Sequence, residues 1–192
     1  SALQTLHKVY QKIGMEFKAA ETLEQIEEMF PGKGNLNNIG LHYSNAGKKE
    51  KAMMFYERAM VKSPSPTTAF NIAIQYRYSD KNKFQEYLEK AQKIDPTHNP
   101  SSCTLGQEYI KKGRKVEGEK LLQAAFDRWK QKFDNNRMEK SDYSWFSSCA
   151  KSLGKYDYAK HIEECEPKEK LDKMYNSNNL TQFKQEVGLQ KQ

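Results

Sequence analysis

The chain has 192 residues, of which 36% are hydrophobic and 30% charged, with 32 Lys and Arg against 25 Asp and Glu for a net charge of +7. That length suits one or two globular domains or one short solenoid, and the polar balance favours an elongated stack with much surface per residue. No apolar run approaches the roughly 20 residues that would span a bilayer.

The apolar residues recur in a fixed rhythm along the chain. Near 1–32, Leu3, Leu6, Tyr10, Gly14, Ala19, Leu23, Ile26 and Pro31 take successive places, with His7 where a small residue is expected. The apolar face begins within three residues of the start, so either Ser1 caps the first helix or an upstream unit has been cut away. Near 33–65 the set is Leu36, Ile39, Gly40, Tyr43, Gly47, Ala52, Tyr56, Ala59 and Pro64. Near 66–98 it is Ala69, Ile72, Ala73, Tyr76, Phe84, Leu88, Ala91 and Pro96, with Asp80 and Asn82 making a turn that has no glycine. Near 99–133 come Leu105, Gly106, Tyr109, Gly113, Gly118, Leu122 and Ala125. Lys130 stands there in place of proline, so the second helix is expected to run on past Trp129 and Phe133 and stop near Asp134 and Asn135. After a polar connection, Tyr143, Phe146, Ala150, Gly154 and Ala159 mark a fifth unit over 141–166, capped by Ser141 or Asp142. Glu163 and Glu166 depart from its pattern, which leaves Ile162 to pack. Over 167–192 two short helices, 167–175 and 180–187, offer Leu171, Met174 and Tyr175 to cover the last apolar face.

Within each unit the first residues lie three and four apart, so they share one face of a helix, here called A; the later ones do the same on a helix B. Small residues such as Gly40, Ala52 and Ala59 allow a close crossing, and Ile39, Tyr43 and Tyr56 fill the grooves beside them. Gly47 can take a positive φ and end helix A, and Pro64 stops helix B. One such pair cannot bury its apolar face alone, whereas stacked pairs can. The nine positions of the 33–65 unit together resemble the tetratricopeptide repeat (TPR), a helix–turn–helix unit of about 34 residues. The resemblance implies an all-α fold, a right-handed superhelix of about five helical hairpins with a C-terminal capping helix.

The same resemblance implies a protein–protein interaction scaffold that holds a peptide or helix in a groove lined by the A helices, with no catalysis and no cofactor. Asn38 and Asn71 occupy the A-helix position that bonds an extended peptide backbone in similar proteins, and Thr104 takes that place in the next unit. Leu41, Phe70, Ile74, Tyr78 and Ile110 project on the same side as an apolar patch. Lys12, Arg77, Lys111 and Lys151 place cations at one height, a stripe that favours an acidic partner, although a cation in the last turn of a helix is stabilised there without one. With Gln107, the residues assigned to the groove are Asn38, Leu41, Phe70, Asn71, Ile74, Arg77, Tyr78, Thr104, Gln107 and Lys111. The two-carboxylate clamp of the heat-shock-chaperone-binding members is not matched: from the first unit the clamp places read Gln4, Lys8, Asn38, Thr67 and Asn71.

Two other readings stay open: a module for self-association, as a homodimer through an end unit, or for docking within a larger protein, and a basic helical-repeat nucleic-acid binder. The aromatic residues fall mostly on core positions, which speaks against the second. Cys103, Cys149 and Cys165 are odd in number with no CxxC pair, and the four histidines are scattered, so neither a disulfide framework nor a metal site is expected. Reduced thiols and an opening without a leader pattern point to the cytoplasm and to no membrane partner. The start at Ser1 suggests a cloned fragment of a longer protein, Ser1 and Ala2 being cloning additions.

Overall fold

The structure, a computed structural model, describes residues 2–167, and among these are ten α-helices and no strand. The helices come as hairpins: α1 (Ala2–Lys12) with α2 (Glu16–Met29), α3 (Leu36–Asn45) with α4 (Lys49–Lys62), α5 (Pro66–Tyr76) with α6 (Lys81–Ile94), α7 (Asn99–Lys111) with α8 (Lys115–Asp134), and α9 (Lys140–Ser152) with α10 (Tyr156–Cys165). Each helix packs on the one before and the one after, and α7 also touches α5 and α9. The result is a solenoid in which the first helix of each hairpin, the A helix, faces its counterparts in the neighbouring hairpins. The expected Ser1 cap and the helices expected over 168–192, with Leu171, Met174 and Tyr175, lie outside the described residues.

Local chemistry sets the helix ends. Gly47, between α3 and α4, has φ +73°, a left-handed conformation that a side chain would strain. The glycine-free turn before α6 is closed by Asp80, whose carboxylate accepts from the backbone N–H groups of Asn82 and Lys83 at 3.0 Å each. Asn82 therefore belongs to the first turn of α6. Pro66 opens α5, where its missing N–H costs nothing, behind a Ser65 cap whose Oγ accepts from the Thr68 N–H at 3.1 Å. As the missing proline predicts, α8 runs on for 20 residues and stops at Asp134. Helix α9 starts at Lys140, ahead of the expected Ser141 or Asp142 cap. Asp142 sits inside the helix and reaches back, its Oδ2 accepting from the Glu139 N–H at 3.2 Å.

The core runs the length of the array in three connected apolar clusters, centred on Tyr43 and Tyr56, on Phe84 and Leu105, and on Trp129 and Phe146. Gly40 lies against the Tyr56 ring, and Gly106 and Gly118 bring the backbones of α7 and α8 together. Phe84 and Ile162 are buried where the pattern departs from its usual residues. His7, in place of a small residue, sets its Nδ1 3.3 Å from the Ala19 carbonyl oxygen and its ring edge against His42.

Candidate protein-binding groove

The A helices are linked across the array by side-chain hydrogen bonds. Asn37 Oδ1 on α3 accepts from Thr68 Oγ1 and Asn71 Nδ2 on α5, both at 3.1 Å. Gln75 Nε2 on α5 donates to Ser44 Oγ on α3 at 2.7 Å. Gln107 Nε2 on α7 donates to Ser148 Oγ and Ser152 Oγ on α9 at 3.1 and 2.8 Å. These bonds fix the spacing of neighbouring A helices and lie on the face that carries the predicted binding residues.

The predicted residues fall into three groups. Asn38 and Leu41 are exposed on α3, and Asn71 is half-buried on α5 with its amide N–H₂ already donating to Asn37. Phe70 and Thr104 are buried, Ile74 is half-buried in the central cluster, and Gln107 is engaged with α9. Arg77 caps the C-terminus of α5 over the Phe84 ring, and Lys111 pairs with Glu108 at 2.6 Å. Tyr78 stands in the turn after α5, 90% exposed. Of the remaining stripe cations, Lys151 is 2.5 Å from Glu163.

The burial of Thr104 has a specific cause that the sequence reading missed. Trp145, at the same place on α9 that Asn38, Asn71 and Thr104 hold on theirs, meets Phe70 of α5 edge-on at 5.4 Å between ring centroids. Phe70 also contacts the ring of His98, which caps α7, at 5.8 Å. Together they cover α7, in which every residue from Ser101 to Gly106 is buried. Burial lowers the His98 pKa, against the pull of Asp95, and so favours the neutral ring. The A-helix face is thus filled with the chain's own side chains over α7 and remains more open over α3 and the start of α5. Aligning the place held by Asn38, Asn71 and Thr104 across all five units would have flagged Trp145; that it reaches α5 depends on how the hairpins stack, which spacing does not encode.

Among the described residues no three His, Cys, Asp or Glu side chains converge as a metal would need. Buried polar groups are mostly structural. Glu27 accepts from the N–H groups of Gly32 and Gly34, both at 2.9 Å, and faces Lys62 at 3.6 Å.

Paired antiparallel helices stacked with a residue-size rhythm define a helical-repeat protein. Residues 34–60 match the model of the tetratricopeptide repeat family, and the fold of the described residues is similar to that of TPR proteins. The structure of TTC0263, a thermophilic TPR protein of Thermus thermophilus, is similar at a TM-score of 0.58 with 16% identity, over 97% of this chain and 97% of that one. A structure of MamA is similar at 0.54 with 14% identity, over 84% of this chain and 86% of that one; a second gives 0.53 and 14%, over 82% and 90%. At these identities the likeness is one of fold. No curated protein matches the chain in sequence.

Proposed function

We propose that the chain is a non-catalytic interaction scaffold that holds an extended segment of another protein along its A helices, over α3 and the start of α5 and out to the end of α7. The observation that supports this is the contrast along one face: α7 is covered by Phe70 and Trp145, whereas Asn38 and Leu41 on α3 are exposed beside Asn71. A peptide laid there meets amide groups that suit a backbone and an apolar side chain that suits an anchor. Arg77 and Lys111 stand at the ends of their helices and add a preference for acidic residues; a peptide carboxylate at Lys111 has to displace Glu108.

Peptides selected from a random display library against the intact protein test this reading. The expected result is a set of acidic sequences that lose binding to Asn38→Ala/Asn71→Ala and weaken on Arg77→Glu/Lys111→Glu, with both variants still helical and folded at the assay temperature, although less stable than the parent through the lost Asn71–Asn37 and Lys111–Glu108 contacts. Selected peptides that bind both variants unchanged count against the groove.

A second reading, self-association through the first hairpin, draws on α1, which buries no residue. Light scattering at increasing concentration separates the two: a constant monomer mass removes it.

A further inference from the structure

The fold sorts charge by edge. In each hairpin the turn between the A and B helices lies on one side of the solenoid, and adjacent turns touch: Lys48 lies over the Phe17 ring, Lys49 donates to Ser79 Oγ at 3.3 Å, and Lys112 bonds Gln85. Five eleven-residue windows centred on these turns (9–19, 43–53, 75–85, 109–119 and 150–160) hold fifteen Lys and Arg against six Asp and Glu, a net of +9. The four connections on the opposite edge (27–37, 60–70, 93–103 and 132–142) hold six of each and are neutral. The basic edge is therefore more positive than the chain as a whole at +7.

Exposed apolar side chains stand on the same edge. Phe17, Tyr78, Val116 and Tyr156 occur at four of the five turns, with Val116 81% and Tyr156 69% exposed. We propose that this edge docks on a membrane surface rich in anionic lipid, the cations lying among the headgroup phosphates and carboxylates and the apolar tips entering the interface. Three observations favour a lipid surface over a nucleic acid. Thirteen of the fifteen cations are lysines, point charges suited to a diffuse field of anions. The aromatic faces that a base would stack on already carry cations: Lys48 over Phe17, Lys49 and Lys83 over Tyr76, Lys81 over Tyr78, and Arg114 over Tyr109 at 3.7 Å. Val116 offers nothing to a base, but it suits the boundary of acyl chain and headgroup, as tyrosine does. No helix among the described residues is long and apolar enough to cross a membrane. The expectation of no membrane partner rested on the lack of a span and of a leader; attachment to a surface requires neither.

The test is co-sedimentation of the 192-residue protein with vesicles of phosphatidylcholine alone and of phosphatidylcholine with phosphatidylserine, at low and at moderate salt, alongside a single-stranded oligonucleotide. The expected result is recovery with the phosphatidylserine vesicles only, weakened by salt. Lys48→Glu/Lys83→Glu/Lys112→Glu should lower that affinity about tenfold or more through lost charge attraction. Val116→Ser/Tyr156→Ser should weaken it with the charge unchanged, and thermal melts should show both variants folded. No recovery with phosphatidylserine vesicles, or equal recovery with both kinds, overturns the proposal. Oligonucleotide binding that the charge variant loses and the Val116/Tyr156 variant keeps, with no vesicle binding, also overturns it and assigns the edge to nucleic acid.

Discussion

A Cβ added at Gly118 would sit 2.5 Å from the Gly106 carbonyl oxygen, and one at Gly40 would sit 2.6 Å from the Tyr56 ring. Backbone yields less readily than a side chain. Gly118→Ala should therefore destabilise by about 1–3 kcal/mol in urea unfolding, and Gly40→Ala by less, since the ring can shift. Equal stability of Gly118→Ala and parent would mean that α7 and α8 are not held at this distance. Glu27 carries a second test. Burial pushes its carboxyl up, but the N–H groups of Gly32 and Gly34 and the Lys62 ammonium outweigh that and hold it below its ordinary range. A folded-state pKa below the unfolded one gives stability that is present above the unfolded value and lost as pH falls through the folded one. Glu27→Gln keeps the shape and loses the charge, so it should cost about 1 kcal/mol near pH 7. That gap should close as pH falls below about 4; a gap constant with pH would assign the loss to packing. The thiols divide in the same way: Cys103 and Cys149 are buried and Cys165 is exposed. One thiol should react with a disulfide reagent in the native protein and three after denaturation, and three fast thiols would show that α7 and α9 are not packed as described.

At the scale of helices, α1 and α7 are opposites. Helix α1 buries no residue, while α7 buries a continuous run under Phe70 and Trp145. Local stability follows burial, so amide hydrogen exchange should be fastest in α1 and among the slowest in α7; the reverse order would refute the covering role of Trp145. Leu105→Ala, in the central cluster, should cost about 2–5 kcal/mol. The helices themselves were legible in the sequence because each needs only its own residues and its nearest neighbour: Gly47 ends α3, Asp80 closes the turn before α6, and the lack of proline at Lys130 predicts the long α8. The fifth hairpin's cap was misread by two or three residues because Ser141 and Asp142 both suit an N-cap, and only the geometry shows Glu139 in that place with Asp142 reaching back to it. The binding face was less legible. Asn38 and Leu41 are exposed as a repeat position implies, but Thr104 holds the same place as Asn38 and is buried, because what covers it comes from α5 and α9 together. A pattern of single units contains no information about contacts two units apart.

For the whole molecule the governing feature is the partition of charge. The described chain outside the five turn windows holds twelve Lys and Arg against sixteen Asp and Glu, so the +9 edge faces a body of net −4. Charges on neighbouring turns are close enough to touch the same side chains, as Lys49 and Lys83 do at Tyr76. The opposite edge lies the length of a helix away, and α4 and α6 have 14 residues each, which is about 21 Å. That edge is neutral, so the acidic excess lies along the helices nearer to the turns, within about a Debye length of them at 0.1 M salt, about 10 Å. The edge at +9 and the body at −4 leave the described chain at a net +5, so adding salt from low ionic strength relieves more repulsion between turns than it removes attraction to the body. The melting temperature should rise by a few degrees between about 10 mM and 0.2 M sodium chloride, equivalent to roughly 1 kcal/mol or less. Lys48→Glu/Lys83→Glu/Lys112→Glu replaces three of these cations by anions and should flatten that rise. A melting temperature that falls with salt in the parent would mean that the ion pairs at this edge, Lys111–Glu108 and Arg114–Glu117 among them, outweigh the repulsion between its turns.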